Sequence, residues 1–372
     1  NKMKQFIYLL SFFIFYSCAG NNSTPEYRTA TTALRSDKNP EKAEKAALAA
    51  IELYPNNPLA AFFLASEIYS QPNSRLKNFE KAAKYYDLAI KIDNQDGDDD
   101  KLESPKIIDG TKIETIKQGV SYYSKVLRID LYNLAMDYIS AGENIKAEKS
   151  LLLASSLITN DAQSYQKLAL IYYDIQNYSD ALTYANKSLE IDKNISMMYW
   201  VKGSIESQSG DKIKAEELLS KAYDLSLKNE ESPAVKTLLM SKLFEILFQN
   251  EKKEQALELS EKLIESDPTN IDLYNNAGAV YQNLFLEKQT ENANLFKNLN
   301  NLSESDLEQL KTAYEDCIQL AQQSRENFLM CSELELNEIK SESYYDQSKK
   351  LKYAINDIKR IIKKINKKLD ES

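Results

Sequence analysis

The side chains able to do chemistry in this 372-residue sequence are few, and what is missing narrows the choice. There is no histidine, which removes the commonest general base, the commonest metal ligand and every His-dependent triad. The three cysteines are Cys18, Cys317 and Cys331, with no Cys-x-x-Cys pair, which argues against structural zinc. Cys317 and Cys331 are fourteen residues apart, about 21 Å along a single helix. A disulfide spans only about 4.4–6.8 Å between Cα atoms, so buried free thiols are expected. The acidic run Asp93–Asp100 offers oxygen ligands. An EF-hand fails there: with Gly97 as the loop glycine, the first ligand position falls on Ile92. No glycine-rich phosphate loop is present. No catalytic residue, metal or cofactor is expected.

Cys18 stands apart because of what precedes it. Lys2 and Lys4 lead into an apolar run from Phe6 to Tyr16. A basic start and roughly 7–15 apolar residues describe a secretory signal. The run is too short for a membrane span, which needs about 20 residues. Ser17-Cys18-Ala19-Gly20 resembles a bacterial lipobox. That resemblance implies cleavage before Cys18 and acylation of it, each buried methylene adding about 0.8 kcal/mol of membrane affinity. Phe15 and Tyr16 depart from the usual smaller or aliphatic residues of the motif. Residues 19–26, "AGNNSTPE", suit a flexible tether.

The elements behind these groups are helical. Glycine and proline number eight each in an Ala-, Leu-, Lys- and Glu-rich chain. A 34-residue step relates Ala147, Ala181 and Ala215, then Ala135, Ala169 and Gly203. Self-similarity at that period predicts stacked helix pairs. Small residues let two helices approach, and glycine suits a left-handed turn between them.

These positions resemble the tetratricopeptide repeat (TPR) family. Its small residue in the first helix falls on Ala65, Ala135, Ala169, Gly203 and Gly278. Its alanine in the second helix falls on Ala43, Ala82, Ala147, Ala181, Ala215 and Ala256. Its first-helix aromatic matches Tyr138, Tyr172 and Tyr281, and Gly142 and Gly210 occupy turns. The resemblance implies an all-α, right-handed α-solenoid of stacked TPR helix pairs with a long C-terminal helix. The expected organisation is a signal peptide over 1–17 and a tether over 18–26. A TPR array follows over 27–285, with an inserted loop near 94–110. A divergent helical region covers 286–348, and a basic amphipathic helix covers 349–372.

The resemblance further implies that first helices line a binding surface. Carried onto this chain, it offers Tyr132, Asn133 and Met136, then Gln166, Lys167 and Tyr173, then Trp200. Amides would bond an extended peptide backbone and aromatics cover its side chains. Trp200 also fits a second role, packing between repeats.

In the tail, Leu351, Ile355, Ile358, Ile362, Ile365 and Leu369 form a heptad seam. It would either dimerise through 351–369 or cover the last repeats as a cap. Residues 349–372 hold nine Lys or Arg against three Asp or Glu, a local balance of +6 in a chain of net charge −9. That face suits solvent, with cations at the negative helix end, or contact with anionic lipid or an acidic groove. The acidic whole argues against general nucleic-acid binding.

The combined expectation is a non-enzymatic, membrane-anchored TPR scaffold or adaptor of the bacterial cell envelope. It would be fastened by lipid on Cys18, face the periplasm from the outer membrane, and bind a protein or peptide partner. The alternatives are a self-associating structural subunit, or an enzyme or ligand-binding domain in the divergent C-terminal third.

Overall fold

The computed structural model describes residues 23–95, 99–108 and 110–371. Cys18, the apolar run before it and the middle of the acidic run lie outside the described residues. The described chain is all-α apart from one hairpin, and it divides into two compact units, up to Asn177 and from Tyr178 onward.

In the first unit α1 is Pro25–Arg35, α2 Pro40–Leu53 and α3 Leu59–Phe63, which runs into a π-helical stretch, Leu64–Tyr69. Next come α4 (Phe79–Asp93), β1 (Lys101–Ile108), β2 (Thr111–Thr115), α5 (Ile116–Ser140), α6 (Asn144–Leu157) and α7 (Ala162–Asp174). The second unit holds α8 (Tyr178–Ile191), α9 (Ser196–Ser209), α10 (Lys212–Lys228), α11 (Pro233–Gln249) and α12 (Lys253–Ser266). It ends with α13 (Ile271–Phe296), α14 (Glu304–Leu334) and α15 (Glu338–Asp370).

Local sequence sets many of these starts. The Asn39 and Asn78 side chains accept from the N–H groups of Lys42 and Lys81, each at 2.9 Å, giving α2 and α4 their N-caps. Thr115 with Gln118, and Ser303 with Asp306, close reciprocal capping boxes on α5 and α14. Such caps each contribute about 1 kcal/mol. Gly142 and Gly210 sit in inter-helix turns at φ +75° and +92°. The same turn uses Gln176 at φ +61° and Glu251 at φ +58°, so the turn geometry persists where the glycine does not.

The repeated alanines Ala43, Ala82, Ala147, Ala181, Ala215 and Ala256 are all fully buried. Gly203 shows why the facing position must be small. A Cβ there would lie 2.8 Å from Leu219 Cγ, closer than carbon atoms pack. The first-helix tyrosines join neighbouring pairs by a recurring bond. Tyr69, Tyr172 and Tyr281 donate to Glu44, Glu148 and Glu261 at 2.5, 2.6 and 2.9 Å, each glutamate lying on an earlier second helix.

The segment expected as a loop near 94–110 contains part of an antiparallel hairpin. Lys106 pairs with Ile113, Ile107 with Lys112 and Ile108 with Thr111. Leu102 and Ile113 point inward while their neighbours face out, an alternation hidden in a short, charged stretch. The register slips between Lys101 and Lys106, where Pro105 has no N–H to donate. The hairpin and the 25-residue helix α5 together account for the stretched interval between Ala82 and Ala147.

The tail differs from expectation at its start. α15 begins at Glu338, so residue 349 lies inside a continuous helix and marks only a change of charge. Its seam is already covered. Leu351, Ile355, Ile358 and Ile365 are buried in one cluster with Phe285, Leu307, Leu310, Tyr314 and Phe328. A homodimer through 351–369 is therefore not supported, because α13 and α14 occupy the face it would need. Cys317 and Cys331 both lie on α14, buried and unbridged. No helix among the described residues is long and apolar enough to cross a membrane.

Candidate partner-binding surface

The expected surface residues fall in two places. Tyr132, Asn133 and Met136 lie on α5, and Gln166, Lys167 and Tyr173 on α7. Tyr132 and Asn133 precede Gln166 and Lys167 by the 34-residue step. All six are half-buried or exposed, and none belongs to the buried core. The side chains of Asn133, Gln166 and Lys167 make no hydrogen bond or ion pair among the described residues. Their polar groups face solvent and stay available. Trp200 belongs to the second unit, where it packs against a cluster containing Ala215, Leu219, Met240 and Phe244. Trp200 is partly buried there.

A group outside the repeat pattern ties α5 to α7. The guanidinium of Arg128 donates to both carboxylate oxygens of Asp161, with Nε to Oδ2 at 3.0 Å, and Nη2 also reaches Gln163 Oε1 at 2.9 Å. Asp161 is the N-cap of α7 and also accepts from the backbone and hydroxyl of Ser164. Its side chain is 1% exposed and that of Arg128 13%. Burial alone would raise the Asp161 carboxyl, but the Arg128 and Ser164 hydrogen bonds outweigh it and hold it below the usual range. The guanidinium also lies 5.1 Å from the Tyr132 ring centre. Burial pushes the Tyr132 hydroxyl up against the opposing pull of Arg128. Tyr132 thus rests on a fixed platform at the edge of the surface. A buried arginine 33 residues before an aspartate has no sequence signature of its own.

Further toward the N-terminus the same face is covered. Lys106 of β1 donates to Glu67 at 2.5 Å and lies 5.4 Å from the Tyr123 ring centre. Burial would lower the Lys106 ammonium, but the bond to Glu67 raises it overall. Ser23 donates to Glu103 at 3.0 Å. A cleft of about 190 Å³ remains between the hairpin and Tyr27, Phe62, Phe63 and Glu67. The first helices α1 and α3 therefore turn part of their face to the hairpin, and open first-helix surface begins on α5. A larger groove of about 510 Å³ lies among α4, α5 and α6, with Tyr86, Ile90, Val120 and Leu153 in its walls.

Asp93, at the start of the acidic run, is buried and accepts from the N–H of Asp100 at 2.8 Å, closing the base of the insertion. In the C-terminal third, a cleft of about 370 Å³ is lined by Leu295, Leu302, Leu310 and a single carboxylate, Asp306. That carboxylate is engaged in the α14 capping box. Convergent acids of the kind an acid–base enzyme needs do not meet in this cleft.

A protein-family model described as "Tetratricopeptide repeat" matches residues 73–96 and 162–195. The first match holds α4 and the second holds α7 and α8, in step with the 34-residue pattern. The chain carries tetratricopeptide repeats. A curated relative of this TPR chain, DnaJ homolog subfamily C member 3 of Gallus gallus, is 21% identical over 153 residues. The match covers 39% of this chain and 30% of the relative, so the chain spans less than a third of that protein. Among solved structures, the MamA RS-1 ArsTM double mutant is 17% identical, with 56% of this chain and 93% of that one covered and a TM-score of 0.39. The pilF protein of Pseudomonas aeruginosa is 16% identical, with 64% and 93% covered and a TM-score of 0.39.

Proposed function

We propose that this TPR chain is a non-enzymatic adaptor that holds an extended protein or peptide segment across the first-helix surface of α5 and α7. One observation carries the reading. Asn133, Gln166 and Lys167 present polar groups with no partner among the described residues, beside Tyr132, Met136 and Tyr173. Unpaired amides suit a peptide backbone, and the flanking rings and thioether suit its side chains. Lys167 adds a preference for an acidic partner. The Arg128–Asp161 bond holds α5 against the start of α7, so the surface is set before a partner arrives.

The adaptor would work in the bacterial cell envelope, lipidated at Cys18 and facing the periplasm, with Ala19 favouring the outer membrane. The lipobox-like Ser17-Cys18-Ala19-Gly20 supports that placement.

A photo-crosslinking amino acid tests the surface in cells of the native host. Placed at Asn133 or Gln166, it is expected to give partner adducts that are absent when it replaces Lys149, an exposed residue on α6. Equal yields at all three positions would overturn the surface assignment. Labelled palmitate tests the anchor separately: wild type should take up label and Cys18→Ala should not.

A further inference from the structure

The tail helix α15 has two faces, and the fold uses only one. Leu351, Ile355, Ile358 and Ile365 are buried against α13 and α14. On the other side Lys349, Lys350, Lys352, Lys359, Lys363 and Lys364 are all exposed. None of the six has an ion-pair or hydrogen-bond partner among the described residues. At 100° per residue they span about half the circumference, opposite the buried seam, along roughly 22 Å of helix. Glu338, Glu342 and Asp346 keep the first turns acidic, so the stripe begins at Lys349. A local balance of +6 is thereby set against −15 in the remainder of the chain. Lysines elsewhere are commonly paired: Lys106 with Glu67, Lys252 with Glu216 and Lys253 with Glu287.

We infer that this face of α15 docks on an anionic lipid surface. Three features select lipid over a shaped acidic partner. The cations from residue 349 onward are eight lysines and one arginine. Lysine is a hydrated point charge suited to a diffuse field of headgroups, whereas a fixed carboxylate or phosphate favours the arginine fork. The face belongs to one continuous α-helix, whose cylindrical surface is convex and encloses no partner. Tyr353 lies in the middle of the basic arc and is 57% exposed, an amphipathic ring of the kind that sits at headgroup level. The seam is occupied by the core, so the contact is electrostatic adsorption without insertion of the helix. The acidic remainder would be repelled by the same surface, which orients the molecule with α15 toward the membrane. This contact is independent of acylation at Cys18 and of any partner on α5 and α7.

The test uses the full chain with vesicles of phosphatidylcholine alone and of phosphatidylcholine with phosphatidylglycerol. Attachment through the N-terminal apolar run or its lipid would serve both vesicle types, so the difference between them reads α15. Each cation near an anionic surface contributes about fivefold to partitioning. Changing the six lysines to Gln should therefore lower partitioning onto anionic vesicles at least about a hundredfold. The same six changed to Arg should retain it, which separates loss of charge from damage to the fold. Raising NaCl from about 0.1 M to 1 M shortens the screening length from roughly 10 to 3 Å and should remove the preference. Equal binding to the two vesicle types, or undiminished binding by a Gln variant of unchanged circular dichroism, overturns the inference. So does binding to a polyglutamate peptide without preference for anionic vesicles, which would assign the face to an acidic protein.

Discussion

The two units treat the same helical repeat differently. The first interrupts it: a π-helical stretch ends the first helix of the second pair, and a hairpin is inserted before α5. The second keeps helix pairs in sequence and ends them with two long helices, of 31 and 33 residues, whose apolar faces close on each other and on α13. Small residues make close packing possible in both. In the second unit Gly203 stands where the family places its small residue. In the first, Gly119 lies outside that pattern, in the early turns of α5, and a Cβ there would meet the Phe62 ring at 2.6 Å. A repeat tolerates an insertion when the inserted piece brings its own apolar contacts. Leu102 and Ile113 do this, joining the same cluster as Phe62 and Tyr86.

The largest loss of stability is expected at the fixed charges of the first unit. Arg128→Met would strand the buried Asp161 carboxylate and is expected to destabilise by about 3–5 kcal/mol, read from denaturant midpoints. The pH dependence has a definite sign. The folded Asp161 carboxyl is held below its ordinary value near 3.8, so its contribution is present above that pH and lost as the pH falls below it. Arg128→Met should therefore flatten the acid limb of the stability curve, and an unchanged acid limb would reject this account.

The matching break in the second unit is Ile358→Ala. It empties a fully buried seam position between α14 and α15 and should cost about 2–5 kcal/mol. Light scattering should show the oligomeric state of wild type and variant to be the same, since the seam is filled within the chain.

Glycine substitutions sharpen the contrast. Gly119→Ala and Gly203→Ala should each cost about 1–3 kcal/mol through overpacking. Near-neutral behaviour at Gly119 would mean that the Phe62 ring yields where Leu219 does not. The smallest effect is expected at Tyr281→Phe, about 1 kcal/mol near neutral pH for the lost bond to Glu261. Burial, then that bond, pushes the Tyr281 hydroxyl up to about 12. Its contribution is full below pH 10 and lost as the pH rises through 12, so the variant should soften the alkaline limb.

The helix pairs were legible because the 34-residue step is local and repeated. Cys317 and Cys331 were legible because fourteen residues of helix keep two thiols apart. The hairpin was not, since "KLESPKII" carries lysines, a glutamate and a proline that read as loop and become strand only against Phe62 and Tyr86. The edge of the candidate surface was half legible. Tyr132 came from the repeat register, while Arg128 beneath it depends on Asp161, brought in by the start of the next pair.

The helical period, the small residues at the close approaches and the division of α15 into an apolar seam and a basic face are all written in the order of the residues. These follow from spacing along one helix and need no distant contact. Which of those faces are spent is set by the folded arrangement. It placed α13 and α14 on the seam, the hairpin over the first helices of the early repeats and Trp200 against a core cluster. It left the surface of α5 and α7 and the lysines of α15 open. The reason is physical: an apolar stripe fixes that something must cover it, whereas which segment does so depends on chain connections that spacing does not encode.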